Sequence, residues 1–286
     1  MKTIVTADDF GLSPGINKVI IDLLKQGNIT QTSILMGSYF TEDAINLFKS
    51  ECPDKPLGIH LSLTFGKKIS SYKLNLLSSK DFMLRLTYPK LLFLLLNPLT
   101  RLFLLSQVEK EFEAQILKLK TYNIPINHID SHQHVHMIPG IFKIVKKLAV
   151  KYRIENIRHT NESFFITKSV ITNNSSCNIS GIIKHIIISC FTFFASSPKD
   201  SYFFSILHSC KIKPGLIDYI SFQNLSKKYN SVEIMVHPGL PELDLNHISL
   251  IDKREIKQAL SSDRLNENEA LIEISNHLLF SNSSIS

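Results

Sequence analysis

The sequence predicts an α/β fold built on a mostly parallel sheet or a barrel, and three observations lead there. Strand-like and helix-like segments alternate along the chain, the pattern of parallel strands joined by crossover helices. Several helical segments carry their own start and stop residues. Metal-type and acid/base side chains recur at four separate strand ends: Asp8 and Asp9, His60, Asp130 and His132, and His237. Sites in such folds gather at the carboxyl ends of the strands.

Lys2–Ala7 reads as a short β-branched strand. A helix over 14–26 follows, with Ser13 as N-cap, Pro14 in the first helical position and Gly27 as the stop. "TSILMG" (32–37) is a second strand, and 41–50 a helix capped by Thr41. "PLGIHLSLT" (56–64) is a third strand. After a hydrophobic insertion, 106–122 is an amphipathic helix with apolar residues at 108, 112, 116 and 119. A strand over 124–132, a helix over 140–152 and a strand over 155–160 come next. Further on stand a strand at 231–237, a helix near 252–261 and a terminal strand at "ALIEIS" (270–275). No internal repeat or linker is visible. One domain over 1–286 is expected, with insertions near 70–105 and 160–230, the latter capping the barrel.

Hydrophobic residues make up 44% and charged residues 20% of the 286, an ordinary globular balance. The net charge of +7 suits an anionic partner. Its lysines are scattered, however, and no arginine-rich block interleaves with aromatics, so nucleic acid is not an expected partner. Cys52, Cys177, Cys190 and Cys210 form no C-x-x-C pair, which fits neither a zinc knuckle nor a disulfide framework but suits reduced thiols. The first ten residues lack the long apolar run of a signal peptide. A cytoplasmic location is therefore expected.

Two apolar stretches tempt a membrane reading. Asn97, Pro98 and Arg101 break 91–106, and Lys184 and His185 stand near the middle of 179–195. Neither reaches the ~20 apolar residues of a spanning helix. Buried or lid-forming helices are expected, with a peripheral membrane contact as the competing reading.

The most distinctive stretch is "INHIDSHQHVHMIPG" (126–140), which holds four of the 11 histidines. Read as an extended strand, it places His128, Asp130, His132, His134 and His136 on one face. A metal site, a proton relay and a polar strand edge all fit that pattern. "TADDFG" (6–11) sets two carboxylates side by side, which allows one to bind a metal while the other faces water, although Asp and Gly also suit a solvated turn. A lone strand histidine such as His60 is more often structural than a ligand. Beside "DSHQHVH" the balance reverses, because one carboxylate and two imidazoles leave positions open for water and substrate. His237, before a Pro-Gly break, can reach over a sheet end.

"TADDFGLSPGIN" with Asn17, "NITQTSILM", "LGIHLSLTFGK", "HIDSHQHVHMIP" and "EIMVHPG" together resemble the YdjC-like carbohydrate deacetylases, a group that includes chitooligosaccharide deacetylases and hopanoid-associated proteins. The blocks run in family order to about residue 240. The resemblance implies an incomplete (β/α) barrel of about seven strands, like that of the NodB-type deacetylases. It implies one divalent ion held by Asp9, His60 and His132, with Asp8 as general base and His237 as general acid. Asp130, His134 and His136 would support the ligands or touch substrate, and His128 would be structural. Magnesium or zinc is expected first, and manganese, cobalt or nickel also suit the donors.

The activity implied is hydrolytic removal of an N-acetyl group from an acetamido sugar, free or lipid-linked, by an enzyme acting on linear amides. A homodimer is compatible with it. Gly37 and Ser38 replace the Asn-Gly that family members often carry, which bears on substrate choice. The segment 82–105 looks more like a lid over a greasy substrate than a carbohydrate groove. The rival readings are another metal hydrolase, a phosphoesterase or amidohydrolase, and a non-catalytic glycan- or membrane-binding protein. The first commonly needs an H-x-H on strand one, where this chain has Asp-Asp. For the second, every proposed site residue is intact.

Overall fold

A computed structural model describes residues 1–79, 83–172, 179–195 and 198–279. Cys177 and parts of both expected insertions lie outside them. In chain order the elements are β1 (Lys2–Phe10), α1 (Pro14–Gln26), β2 (Gln31–Ile34), α2 (Thr41–Glu51) and β3 (Leu57–Leu61). Then come α3 (Tyr88–Leu96), α4 (Pro98–Lys120), β4 (Ile126–Ser131), a 3₁₀ segment (His132–Met137), α5 (Pro139–Tyr152) and β5 (Asn156–Ile157). The remainder is α6 (Phe164–Val170), α7 (Ile179–Phe194), β6 (Ser201–Phe204), α8 (Tyr219–Gln223), β7 (Ser231–Val236), α9 (Pro241–Asp244), α10 (Ile256–Ala259) and α11 (Asp263–Ile274).

All seven strands lie in one sheet, ordered β5-β4-β3-β2-β1-β7-β6, with every pairing parallel. The sheet curls until its edges approach, and the Phe203 amide of β6 donates to the Asn161 carbonyl, just past β5, at 3.1 Å. The result is an incomplete seven-stranded (β/α) barrel. Strands covered on both faces read as unbroken apolar runs, and all five residues of β3 are buried.

Local chemistry sets the turns that shape the site. Ser13 caps α1 by accepting from the Ile16 amide, and Gly27 closes it at φ 75°, where glycine carries no Cβ penalty. Asn17, on the inner face of α1, accepts from the Gly11 amide at 2.7 Å and donates to the Phe40 carbonyl. It thereby ties the turn after β1 to the start of α2. A buried polar ladder on α4, Gln107, Glu111 and Gln115, lies four residues apart on one face. Gln115 accepts from Ser62, Glu111 from Ile69 and Ser70, and Gln107 from Leu76. This ladder replaces the backbone partners that the irregular chain after β3 lacks.

Several expected elements differ. "ALIEIS" is not a terminal strand but the last turns of α11, where Ala270, Leu271 and Ile274 face the core at helical spacing. The helix near 252–261 shrinks to the single turn of α10. The strand expected over 155–160 pairs only at Asn156 and Ile157. The long helix begins at Pro98 rather than 106, because Asn97 caps it. Strand β6 had no clear signal within the weakly patterned 160–230 region. Among the described residues, no helix is long and apolar enough to cross a membrane.

Candidate metal and catalytic site

The site lies at the carboxyl ends of β1, β3, β4 and β7, at the base of a cavity of about 400 Å³. Near its end β1 breaks register against β2 between Ala7 and Phe10, and Asp9 takes a left-handed backbone with φ 68°. Strict strand alternation would send Asp8 and Asp9 to opposite faces. The bulge instead lets both carboxylates line the one cavity.

Three donor atoms converge there. A carboxylate oxygen of Asp9 and one ring nitrogen each of His60 and His132 lie within 4.8 Å of one another, and all three residues are buried. His132 Nδ1 is 3.3 Å and His60 Nε2 3.7 Å from Asp9 Oδ1. On the far side of His60, Nδ1 meets Asp130 Oδ1 at 2.8 Å, and Ser33 donates to the other Asp130 oxygen at 2.8 Å. A carboxylate behind an imidazole fixes the ring and its tautomer, leaving the opposite nitrogen's lone pair for a cation. Two imidazoles and a carboxylate, all buried and with their donor atoms within 4.8 Å of one another, fit a divalent ion.

Asp8 has a different partner. Arg158, just past β5, donates from both terminal nitrogens to its two oxygens, at 2.7 Å each. The same guanidinium reaches Asp130 at 2.9 Å and Glu233 at 2.8 Å. Arg264 from α11 donates to Asp9 Oδ2 at 2.9 Å and to the carbonyls of His237 and Pro238. One arginine therefore orients each of the two adjacent aspartates.

The charges follow. Burial raises the Asp8 carboxyl above its ordinary value, and Arg158 offsets only part of that. For Asp9 burial works in the same direction, but the His132 hydrogen bond and Arg264 win and hold it well below the carboxylate range. Asp130 is held low in the same way, by Arg158 and His60 against burial. Burial would lower His132, yet Glu255 and Asp9 carry it up to about 10. A cation held here would compete with that proton for His132.

The histidine-rich stretch departs from the single-face expectation. β4 stops at Ser131, and the chain turns through a 3₁₀ segment in which Gln133 and His134 are left-handed at φ 56° and 55°. Alternation therefore ends at the residue before His132. Only His132 joins the metal donors. His134 lines the cavity, packed edge-on to Phe203, with Nδ1 unpartnered. His136 points away from the cavity: its ring bridges the Ser131 hydroxyl at 2.6 Å and the Arg158 carbonyl at 3.1 Å, so it holds the turn rather than substrate. His128 packs over Gly58, where an added Cβ would come within 2.3 Å of its ring.

His237 follows β7 and lines the cavity; its buried Nδ1 makes no hydrogen bond, with Glu267 Oε2 3.9 Å away. Its backbone amide donates to Glu267. Burial pushes its ring down to about 3, so the imidazole is neutral rather than the standing cation expected of an acid.

Residues 2–276 match the family model described as YdjC-like protein. The chain belongs to the YdjC-like protein family. Among family relatives, a protein from Clostridium beijerinckii named carbohydrate deacetylase is 35% identical over 159 residues, or 56% of this chain. That alignment spans 60% of the relative's own length. A carbohydrate deacetylase from Halalkalibacterium halodurans is 28% identical over 259 residues, covering 89% of this chain and 92% of the relative. A solved structure from Enterococcus faecalis V583, described as a proposed cellobiose-phosphate cleavage protein, superposes with a TM-score of 0.60 at 21% identity. It covers 97% of this chain and 93% of its own, and it supports the fold.

Sequence reasoning missed three charged residues of the site. Arg158 sits in a segment read as a strand, and a charge inside an apolar strand must be paired when buried, which was the available signal. Glu255 fell within the helix expected near 252–261 and Arg264 between the expected elements, and no local pattern tied either to the site. Glu255 Oε1 stands 3.3 Å from His132 Nε2.

Proposed function

We propose that this YdjC-like protein is a metal-dependent N-deacetylase that hydrolyses the acetamide of an amino sugar. One observation carries the reading: Asp9, His60 and His132 converge at the base of the cavity while Asp8, gripped by Arg158, lines the same cavity beside them. The curated relatives named carbohydrate deacetylase support the sugar as the substrate class.

Asp9, His60 and His132 would hold one divalent ion, magnesium or zinc in first place. Such an ion supplies an acidified water and a Lewis acid for the amide carbonyl. The chain's own groups do the rest. Arg158 fixes the Asp8 carboxylate in one orientation, and burial raises its proton affinity, which suits a general base. Asp130 holds His60 in register from behind. His237 is the proton donor to the departing amine. Its ring is neutral at rest, so the proton that Asp8 takes from the attacking water is the one that must return to the amine, with His237 beside that nitrogen to receive it and pass it on.

The test is acetate release from a panel of acetamido sugars and glycolipids, with several metals added singly and chelator-treated protein as the blank. Asp8→Asn serves as the inactive control. Acetate release that needs metal and vanishes in Asp8→Asn supports the reading. A metal-loaded preparation that releases no acetate from the whole panel, or hydrolyses phosphate esters faster than any amide, overturns it.

A further inference from the structure

Two helical surfaces at the mouth of the cavity leave large apolar side chains in solvent. On α7 the inward face carries Gly181, His185, Ile188 and Thr192. Two of these are polar and bonded inward, His185 to the Glu162 carbonyl and Thr192 to the Thr160 carbonyl. The outward face carries Ile179, Ile183, Ile186, Phe193 and Phe194, each 54–83% exposed. A helix that turns its polar groups to the protein and its isoleucines and phenylalanines outward lacks an apolar neighbour.

The α3–α4 hairpin packs Leu91, Leu94 and Leu104 on the core yet leaves a second apolar set in solvent. Phe93, Leu96, Leu99, Leu102 and Phe103 are 57–91% exposed around the Asn97–Pro98 corner. α4 leads into β4, so its amino end lies at the carboxyl end of the strands, where the cavity opens. Its 23 residues make about 34 Å of helix, against about 20 Å for six-residue β4. The apolar corner therefore overhangs the barrel mouth. Both surfaces reach the cavity itself: Tyr88 at the start of α3 and Ser180, Ile183, Lys184 and Ile187 of α7 line it.

Their charge has one sign. No Asp or Glu occurs from residue 82 to 108 or from 163 to 199, whereas Arg85, Lys90, Arg101, Lys168, Lys184 and Lys199 do. Apolar side chains among lysines and arginines, with no carboxylate, match the boundary between acyl chains and anionic headgroups. Among the described residues none of the three helices is long and apolar enough to span that layer.

We propose that the α3–α4 corner and the outer face of α7 dock on the surface of an anionic phospholipid bilayer, presenting the cavity to lipid-linked acetamido sugars in the headgroup layer. The identity of the sugar rests on the deacetylase reading; the docking does not.

The experiment is co-sedimentation of the full chain with vesicles of phosphatidylcholine alone or of phosphatidylcholine mixed with phosphatidylglycerol, whose charge sets a negative surface potential. The variants are Leu99→Asp with Leu102→Asp, and Phe193→Asp with Phe194→Asp. All four side chains are exposed, so melting temperature and circular dichroism should stay at parent values. Expected is binding to the anionic vesicles that weakens with salt and falls at least tenfold in each double variant, while acetate release from a soluble acetamido sugar is unchanged. Absence of binding to anionic vesicles overturns the proposal, as does parent-level binding by both double variants. So does light scattering that shows a dimer dissociated by the same substitutions with no vesicle binding, since the apolar rim would then face a second copy. Vesicle binding without acetate release from any substrate upholds the docking and counts against the deacetylase reading alone.

Discussion

Arg158 grips Asp8 with two parallel hydrogen bonds of 2.7 Å while the same guanidinium touches Asp130, the residue behind His60. One buried arginine thus couples the candidate base to the candidate metal site. Lysine keeps the charge but not the fork. Arg158→Lys is expected to lower acetate release by about a hundredfold, approaching the loss in Asp8→Asn, which removes a general base worth about 10²–10⁴. Arg158→Ala leaves buried carboxylates facing each other, and denaturant unfolding should show a loss of about 3–5 kcal/mol. Wild-type turnover in Arg158→Lys would refute the coupling.

Each imidazole of the proposed metal site has a carboxylate at its other nitrogen, Asp130 on His60 and Glu255 on His132. Groups in that position orient the ring and typically contribute 10–100-fold in metal affinity. Asp130→Asn and Glu255→Gln should each weaken zinc or manganese binding by about that factor in titration calorimetry. His60→Ala and His132→Ala should abolish it. Chelation should remove activity, and restoring the metal should return it.

Glu162 gives a pH signature outside the candidate metal site. Its carboxylate accepts from the amides of Ser205, Ile206 and Leu207 and from the Thr167 hydroxyl. Burial nevertheless pushes it from 4.5 up to about 7. An acid whose folded value is raised contributes stability that is complete below the unfolded value and lost as pH rises through the folded one. Stability should therefore fall between pH 4.5 and 7, by roughly 3 kcal/mol for this group. Thermal melts across that window should show a smaller slope for Glu162→Gln, whatever its absolute melting temperature. An unchanged slope would count against the assignment.

Glu111 anchors the chain after β3 through the amides of Ile69 and Ser70, at 2.9 and 3.1 Å. Glu111→Ala leaves those donors without a partner and should cost about 1–3 kcal/mol. Hydrogen exchange should accelerate at Ile69 and Ser70 first. Protection equal to the parent's at both amides would show that the ladder is dispensable.

Much of the site is legible in the order of residues alone. Asp8, Asp9, His60, His132 and His237 lie at or just past the ends of strands whose apolar runs are plain in the sequence, and parallel strands in one sheet send their carboxyl ends to one side. The limits are equally physical. Alternation in 126–140 holds only while the backbone stays extended, and it stops at Ser131. His136 consequently holds a turn, although its spacing matches that of the candidate ligand His132. Nor does strand patterning reveal Arg158, Arg264 or Glu255, because each reaches the site through contacts between segments far apart in the chain.

The sequence by itself determined the alternating parallel architecture, the caps of α1, and the donor types at four strand ends, since each depends on residues within a few positions of one another. The tertiary structure alone decided which histidine nitrogen faces Asp9, which arginine holds which aspartate, and that the apolar faces of α3, α4 and α7 point outward around the cavity. Those are relations between segments far apart in the chain, fixed by how the curled sheet brings its edges together, and no local periodicity records them.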